Sequence, residues 1–333
     1  MGVKNLFETI NKYAFFTKNI EIFELKNKKI AIDVSIYRRR NNYTQFLLEL
    51  VRRLLSVGSV PIIIFDICSP LIKKNTQLKR IKLIEDRKAD IENTKELIQH
   101  NIDLLIKSND EKEILEFKEL NIKANEELAE KEKNMFEVKQ DDFDYLWNMF
   151  DMMGVLCFGI PYHESEGLCS WLNKKGYVDY VMTEDQDVIP YGAIKWLRGY
   201  DRRTYTIQLC ELDKVYEVLN HEKILLLALC LGNDYVPRLF PPGKMMSFIG
   251  DPDYLWKKVK EEIPIYKDIV SEYDYDYTPD IPSELATITS SEMYDKIMTE
   301  TKENKKKIQE LIYKYVPGDA ESALKILDKI IVF

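Results

Sequence analysis

Four carboxylates stand in two spaced pairs, Glu164-x-Glu166 and Asp185-x-Asp187, within the stretch from Gly159 to Asp187. Brought together, four like charges repel unless something neutralises them, and hard carboxylate oxygens suit Mg²⁺ or Mn²⁺. A lone acidic pair is most often solvated surface. Three further acids change that balance because each closes an apolar run. Asp33 ends Lys29-Ile30-Ala31-Ile32, Asp66 follows Val60 to Phe65, and Asp234 leaves the apolar segment that ends in Leu231-Gly232. Two cations about 4 Å apart activate a water, neutralise a phosphodiester and stabilise the leaving oxyanion. Seven acids so placed point to metal-assisted phosphoester hydrolysis. No His, Cys or Ser constellation competes; His163 borders Glu164 without a partner pattern and reads as a loop residue.

The elements that must position these acids are legible as buried strands and crossovers. Lys29–Asp33 and Val60–Asp66 are continuous apolar runs, and Phe46, Leu47, Leu50, Leu54 and Leu55 recur between them at helical spacing. Parallel buried strands require such a crossover, so Asp33 and Asp66 fall on one edge of one sheet. Leu168, Trp171 and Leu172 give a helix after Glu166, stopped by Lys-Lys-Gly176. Tyr177–Thr183 reads as a strand, which delivers Asp185 and Asp187 to the carboxyl edge where ligands bind open α/β sheets.

From Leu71 to Met153 there is neither Gly nor Pro. Ile81, Ile84, Ile91, Ile98, Ile102 and Leu105 form the stripe of a long helix, broken at Ser108-Asn109-Asp110. Ile114, Phe117, Ala124 and Leu128 form a second stripe. A projecting helical hairpin over about 71–135 is expected; the stripes are too irregular for a sustained coiled-coil seam. Asp142–Met153 returns as a helix on the sheet. Met1-Gly2-Val3-Lys4-Asn5-Leu6 opens a helix to about Tyr13. Ala193–Leu197 and Tyr205–Leu209 read as strands, with Arg198, Arg202 and Arg203 in the turn. Helices are expected over 211–219 and 221–231, then a tight turn at Phe240-Pro241-Pro242-Gly243-Lys244 and a further helix. Tyr273–Pro282 reads as a polar linker before two helices near 292–315 and 319–331.

Composition bounds the class. At 333 residues, 45% hydrophobic and 31% charged, the chain is an ordinary globular protein with room for a full core. No apolar run approaches the ~18 residues of a membrane span, and the N-terminus lacks a signal-peptide layout, so an intracellular protein is expected. Five scattered cysteines without a CxxC read as reduced buried thiols. The net charge of −8 does not advertise a nucleic-acid binder. Carboxylates dedicated to metal bias that sum downward, however, and distribution matters more.

The order of motifs resembles the flap endonuclease, or XPG-type, family of structure-specific 5′-nucleases. It is carried by Met-Gly-Val-Lys-Asn-Leu, the strand ends at Asp33 and Phe65-Asp66, Glu164-Ser-Glu166, Thr183-Glu-Asp185-Gln-Asp187 and Gly232-Asn-Asp234-Tyr235, over roughly residues 1–250. The resemblance implies a PIN-like α/β domain with a central, mostly parallel sheet flanked by helices, a long helical arch and a helix–turn–helix-like DNA-binding segment at about 221–250. Residues 251–333 are expected to form a C-terminal helical extension. It further implies two Mg²⁺ ions, with Mn²⁺ as substitute. Asp33, Asp66, Glu164 and Glu166 would hold the first, directly or through water, and Asp185, Asp187 and Asp234 the second, with Glu166 bridging. The implied reaction is hydrolysis of DNA near 5′ single-strand/double-strand junctions in replication, repair or recombination, by a monomer. Its site would be the nucleus in a eukaryotic cell or a cytoplasmic replication site for a virus.

The same resemblance gives Lys73 and Arg80 the family's arch-base role on the scissile phosphate; seven residues apart on a helix, both point the same way. Lys74 and Lys79 extend that basic face. Gly2 and Tyr37, the latter stacking on a base, with Arg38 and Arg39 on backbone phosphates, complete the implied DNA contacts. The chain departs from the family in three places. Pro241-Pro242-Gly243-Lys244 keeps one glycine of the Gly-x-Gly hairpin that grips a duplex and a K⁺ ion, so that grip and the K⁺ site are weakened or rebuilt. Such a proline-rich turn resembles versions carried by large DNA viruses. The stretch between Asp66 and Glu164 is long for the arch. No sliding-clamp motif ends the chain at Phe333. Two other readings remain open at this stage: a 5′→3′ exoribonuclease of the Xrn type, suggested by Gly232-Asn-Asp234-Tyr-Val-Pro237, and a DNA-binding scaffold that kept the fold without cleavage.

Overall fold

The computed structural model describes residues 3, 5–11, 16–35, 37, 42–68, 70–108, 110–134, 141–277, 281, 284–316 and 318–331. In chain order these form α1 (Leu6–Asn11), β1 (Thr17–Glu21), β2 (Lys29–Asp33), α2 (Tyr43–Ser56), β3 (Val60–Ile64), α3 (Lys74–Lys107), α4 (Glu111–Asn134) and α5 (Asp141–Met152). There follow β4 (Leu156–Phe158), α6 (Ser165–Lys174), β5 (Tyr180–Met182), β6 (Lys195–Asp201), β7 (Thr206–Glu211), α7 (Leu212–Val218) and α8 (His221–Leu231). The remainder is helical: α9 (Pro242–Phe248), α10 (Pro252–Glu262), α11 (Tyr266–Tyr273), α12 (Glu284–Thr287), α13 (Ser290–Glu303), α14 (Lys305–Tyr315) and α15 (Ala320–Ile331). None of these helices is long and apolar enough to cross a membrane.

Among the described residues one seven-stranded sheet runs β1-β7-β6-β5-β2-β3-β4. The five strands from β6 to β4 are parallel, and β7 and β1 add an antiparallel edge. The mostly parallel α/β sheet expected from the apolar runs is therefore present. β2 lies in its interior between β5 and β3, with Ile30, Ala31, Ile32 and Asp33 fully buried. The register sets Asp33 beside Ile64 and Ile32 beside Met182, so the chain segments after β2, β3 and β5 emerge side by side.

Several expectations need correction. β1 and β4 were not foreseen: Thr17–Glu21 is mostly polar because its pattern buries only Ile20, and β4 is three residues long. Arg198 lies inside β6 rather than in the turn, its guanidinium 4.4 Å from the Phe7 ring and 4.8 Å from the Trp196 ring. The Pro-Pro-Gly-Lys turn is already helix, because Pro242 occupies the first turn of α9, where its missing N–H costs nothing. The linker reading of Tyr273–Pro282 fails over its first half, since Tyr273 belongs to α11 and both Tyr273 and Tyr277 are buried. The helix expected over 292–315 breaks at Asn304, which ends α13 and begins α14. α13 packs on β3, α14 on α5 and α15 on α2, so these C-terminal helices cover the sheet.

The chain divides into two units. One comprises Met1–Lys73 and Lys139–Phe333 and contains the sheet; the other is Lys74–Val138. Within the second unit α3 and α4 pack on each other, burying Ile91 and Ala124. The pair is pinned by Lys131, whose ammonium lies 2.9 Å from Asp90 and donates to Thr94 at 2.9 Å. Ile81 breaks from the expected stripe and is exposed.

Candidate metal centre

The sheet register and two short caps carry Asp33, Asp66, Glu164 and Asp185 to one edge of the sheet. Asp33 is fully buried at the end of β2. Its Oδ1 accepts from the Ser35 N–H and the Ser165 hydroxyl, both at 2.9 Å, and its Oδ2 from the Thr183 hydroxyl at 2.8 Å. Asp33 thus ties the start of α6 and the end of β5 to the centre of the sheet. Asp66, just past β3, accepts the Ser165 N–H at 2.8 Å. Glu164 occupies the N-cap position of α6 but makes no side-chain cap bond, which leaves its carboxylate for the cluster. Asp185 caps the turn after β5 by accepting the Asp187 N–H at 3.0 Å.

Carboxylate oxygens of Asp66, Glu164 and Glu166 lie within 4.8 Å of one another. Lys73 enters the same cluster, donating to Glu164 at 2.7 Å and standing 3.4 Å from Asp234. Asp187 accepts the Val3 backbone N–H at 2.5 Å, and the neighbouring Gln186 side chain takes the Phe7 N–H at 2.8 Å. Val3 and Phe7 are thereby bound to the segment of the second acidic pair.

The charge state reflects this crowding. Burial, then the charge of Asp66, pushes the Asp33 carboxyl up to about 7 despite its three hydrogen bonds. Burial pushes Glu164 up to about 7, with Lys73 working against it. Glu166 rises well above the carboxylate range through burial and the charges of Asp33, Asp66, Asp185 and Glu164. Asp187 does so through burial and Asp185. Burial alone would lower the Lys73 ammonium, but Glu164, Asp234, Glu166 and Asp187 together raise it. Among the described residues, Lys73 alone does not balance this set. The buried Glu164 Oε1 has no hydrogen-bond partner, an arrangement that costs on the order of 1–3 kcal/mol unless a cation or water takes it. The donor set is all oxygen, which fits a hard divalent cation.

The expected DNA-contact residues fare differently. Tyr37 is 1% exposed, with its ring 5.0 Å from Phe46. Burial there corrects the expectation of a base-stacking ring. Lys74 and Lys79 are exposed on α3. Gly243 and Lys244 are exposed in the first turn of α9. Gly2, Arg38, Arg39 and the Arg80 side chain lie outside the described residues.

Sequence reasoning passed over Ser165 and Thr183, although both stand within the acidic motifs and a hydroxyl there suits a buried carboxylate. It also read His163 as an unpartnered loop residue, whereas Glu272 lies 3.2 Å from its Nδ1. Glu272 carried no signal, being more than a hundred residues from Glu164 in a segment of mixed charge.

Residues 159–234 match the family model described as the XPG I-region. Exonuclease 1 of Xenopus laevis is 20% identical over 279 residues, covering 76% of this chain and 34% of the relative. Flap endonuclease 1 of Trypanosoma brucei gambiense is 26% identical over 215 residues, covering 63% and 46% respectively. The chain thus spans less than half the length of these two relatives. Among solved structures, the catalytic core of Rad2 in complex with DNA substrate aligns with a TM-score of 0.58 at 16% identity, covering 99% of this chain and all of that one. That likeness is one of fold.

Proposed function

We propose that this chain, whose residues 159–234 match the XPG I-region, is a structure-specific 5′ nuclease of the XPG-type flap endonuclease family, using divalent metal to cut DNA phosphodiesters near single-strand/double-strand junctions. The observation that carries the reading is the meeting of Asp66, Glu164 and Glu166 oxygens within 4.8 Å, beside the unpartnered Glu164 Oε1. Mg²⁺ is the proposed resident ion, two per site, with Mn²⁺ able to replace it. A bound divalent cation supplies positive charge to the scissile phosphate and lowers the pKa of a coordinated water.

The protein's own part is positional. Asp66, Glu164 and Glu166 would offer oxygens to one ion, and Asp185, Asp187 and Asp234 would offer oxygens to the other. Asp33 accepts from Ser35, Ser165 and Thr183, which fixes the loops that carry the other acids, and its remaining lone pairs would serve the first ion directly or through water. Lys73 holds a positive charge against Glu164 and Asp234, which suits it to meet a phosphate once the acids are otherwise neutralised. In this reading residues 1–250 carry the nuclease, about 71–135 its arch and 221–250 its duplex contact, and 251–333 a helical extension. The Rad2 catalytic core, similar in fold, was solved in complex with DNA substrate, which favours DNA over RNA here.

The test is a cleavage assay with Mg²⁺ on 5′-labelled DNA flaps, nicks and gaps alongside 5′-monophosphorylated RNA. Cutting near the DNA junction is expected, and Asp185→Ala is expected to bind the flap while losing turnover. Preferential digestion of the RNA, or undiminished cutting by the variant, would overturn the reading.

A further inference from the structure

Two of the acid-bearing loops are tied together by neighbouring residues at the end of α11. Glu272 is 8% exposed, and its two oxygens lie 3.3 and 3.2 Å from His163 Nδ1. The Glu164 backbone N–H bonds to the same carboxylate. Tyr273 is 4% exposed, and its hydroxyl accepts from Asn233 Nδ2 at 3.1 Å. Asn233 uses its other amide atom to close the turn around Asp234, accepting the Tyr235 and Val236 N–H groups at 2.9 and 3.0 Å. Glu272 thus grips the loop of Glu164, and Tyr273 grips the loop of Asp234.

The next residues continue the seam. Tyr275 stacks on the His163 ring at 3.8 Å and 27°, and Asp276 accepts the Trp171 indole N–H at 3.1 Å on α6. Tyr277 packs so tightly over α6 that a Cβ on Gly167 would stand 2.5 Å from its hydroxyl. Tyr191 links the two ends, its ring edge-on to Tyr273 at 4.8 Å and its hydroxyl 3.3 Å from that of Tyr235.

A packing element would not place a carboxylate here. An eighth acid beside seven others adds repulsion, and burying it costs free energy unless its hydrogen bonds are worth more. Glu272 places its oxygens on His163 and the Glu164 N–H, contacts that fix a loop. We propose that residues 272–277 form a positioning strap that sets the separation of Glu164 and Asp234, the two acids that reach Lys73 from different loops. This inference rests on the metal-centre reading above. Groups that orient metal ligands without touching the ion alter affinity by roughly 10–100-fold when removed.

Mn²⁺ titration of the full chain by calorimetry tests it, on wild type, Glu272→Ala, Glu272→Gln, Tyr273→Phe and the ligand control Glu166→Gln, with melting midpoints taken in EDTA. Glu272→Ala and Tyr273→Phe are expected to weaken Mn²⁺ binding about tenfold with midpoints near wild type. Glu272→Gln, which keeps an acceptor for the Glu164 N–H, should recover most of that loss. Wild-type affinity in both Glu272→Ala and Tyr273→Phe would overturn the strap, as would a loss of affinity that tracks a loss of melting midpoint. If only Glu166→Gln loses the ion, the metal reading stands and the strap alone fails. If wild type takes up no Mn²⁺, both fall together.

Discussion

The Val3 backbone N–H donates to the Asp187 carboxylate at 2.5 Å, joining residues 184 positions apart. Val3 is itself fully buried. A main-chain donor on this carboxylate fixes the orientation in which it would meet an ion. Val3→Pro removes that donor without adding charge. The variant is expected to weaken Mn²⁺ binding about tenfold and to slow turnover accordingly, measured by calorimetry and single-turnover cleavage. Unchanged affinity would mean that Asp187 needs no tether.

Lys73 is a buried cation that contacts two of the acids. Removing one partner of a buried pair leaves the other charge uncompensated, at about 3–5 kcal/mol. Lys73→Met is therefore expected to lose about 3 kcal/mol of metal-free stability, much of it regained when Mn²⁺ neutralises the same carboxylates. Urea denaturation with EDTA and with Mn²⁺ reads this directly. The single-turnover cleavage rate of the metal-loaded variant should fall as well; a normal rate would leave Lys73 as counter-charge only.

The acid cluster also dictates a pH dependence. Asp33 and Glu164 titrate near 7 in the folded chain, through burial first and then Asp66 for the one, and through burial against Lys73 for the other. Unfolded, both revert to ordinary carboxyls near 4. Between those limits the folded, metal-free protein holds protons that the unfolded chain has released, so stability falls as pH rises from about 4 to about 7. Metal requires the deprotonated oxygens, so its binding strengthens over the same window. The melting midpoint in EDTA should drop between pH 5 and 8, and excess Mn²⁺ should remove the slope. A metal-free midpoint that climbs through that window would contradict the upward shifts.

The sequence carried the parts of this site whose pattern is local. Lys29–Asp33 and Val60–Ile64 read as buried parallel strands because nearly every residue faces core, and the acids closing them mark the sheet edge. What escaped depends on long-range contact. Thr17–Glu21 is a strand only because β7 pairs with it. Tyr37 looked available for stacking because nothing nearby in the chain reveals that Phe46 covers it. Tyr273–Tyr277 alternates aromatic and acidic residues as a solvated linker would. Its tyrosines nevertheless find His163, Tyr191 and Gly167 waiting on other elements.

Gly232 separates the end of α8 from the Asn233-Asp234 turn and adopts φ of +79°. A Cβ there would lie 2.6 Å from the Arg238 N and 2.8 Å from its Cα, backbone atoms that cannot rotate aside. The left-handed conformation adds strain of order 1–3 kcal/mol for a residue other than glycine. Gly232→Ala should therefore lose about 3 kcal/mol, and relief of the clash must move Asp234, weakening Mn²⁺ binding. Gly243 provides the contrast. It lies within α9, and a Cβ there meets nothing within 4 Å, so Gly243→Ala should be neutral or gain about 0.5–1 kcal/mol. Urea unfolding and Mn²⁺ titration of the two variants side by side test whether the turn before Asp234 is held by backbone geometry. Equal stability and equal affinity would show that it is not.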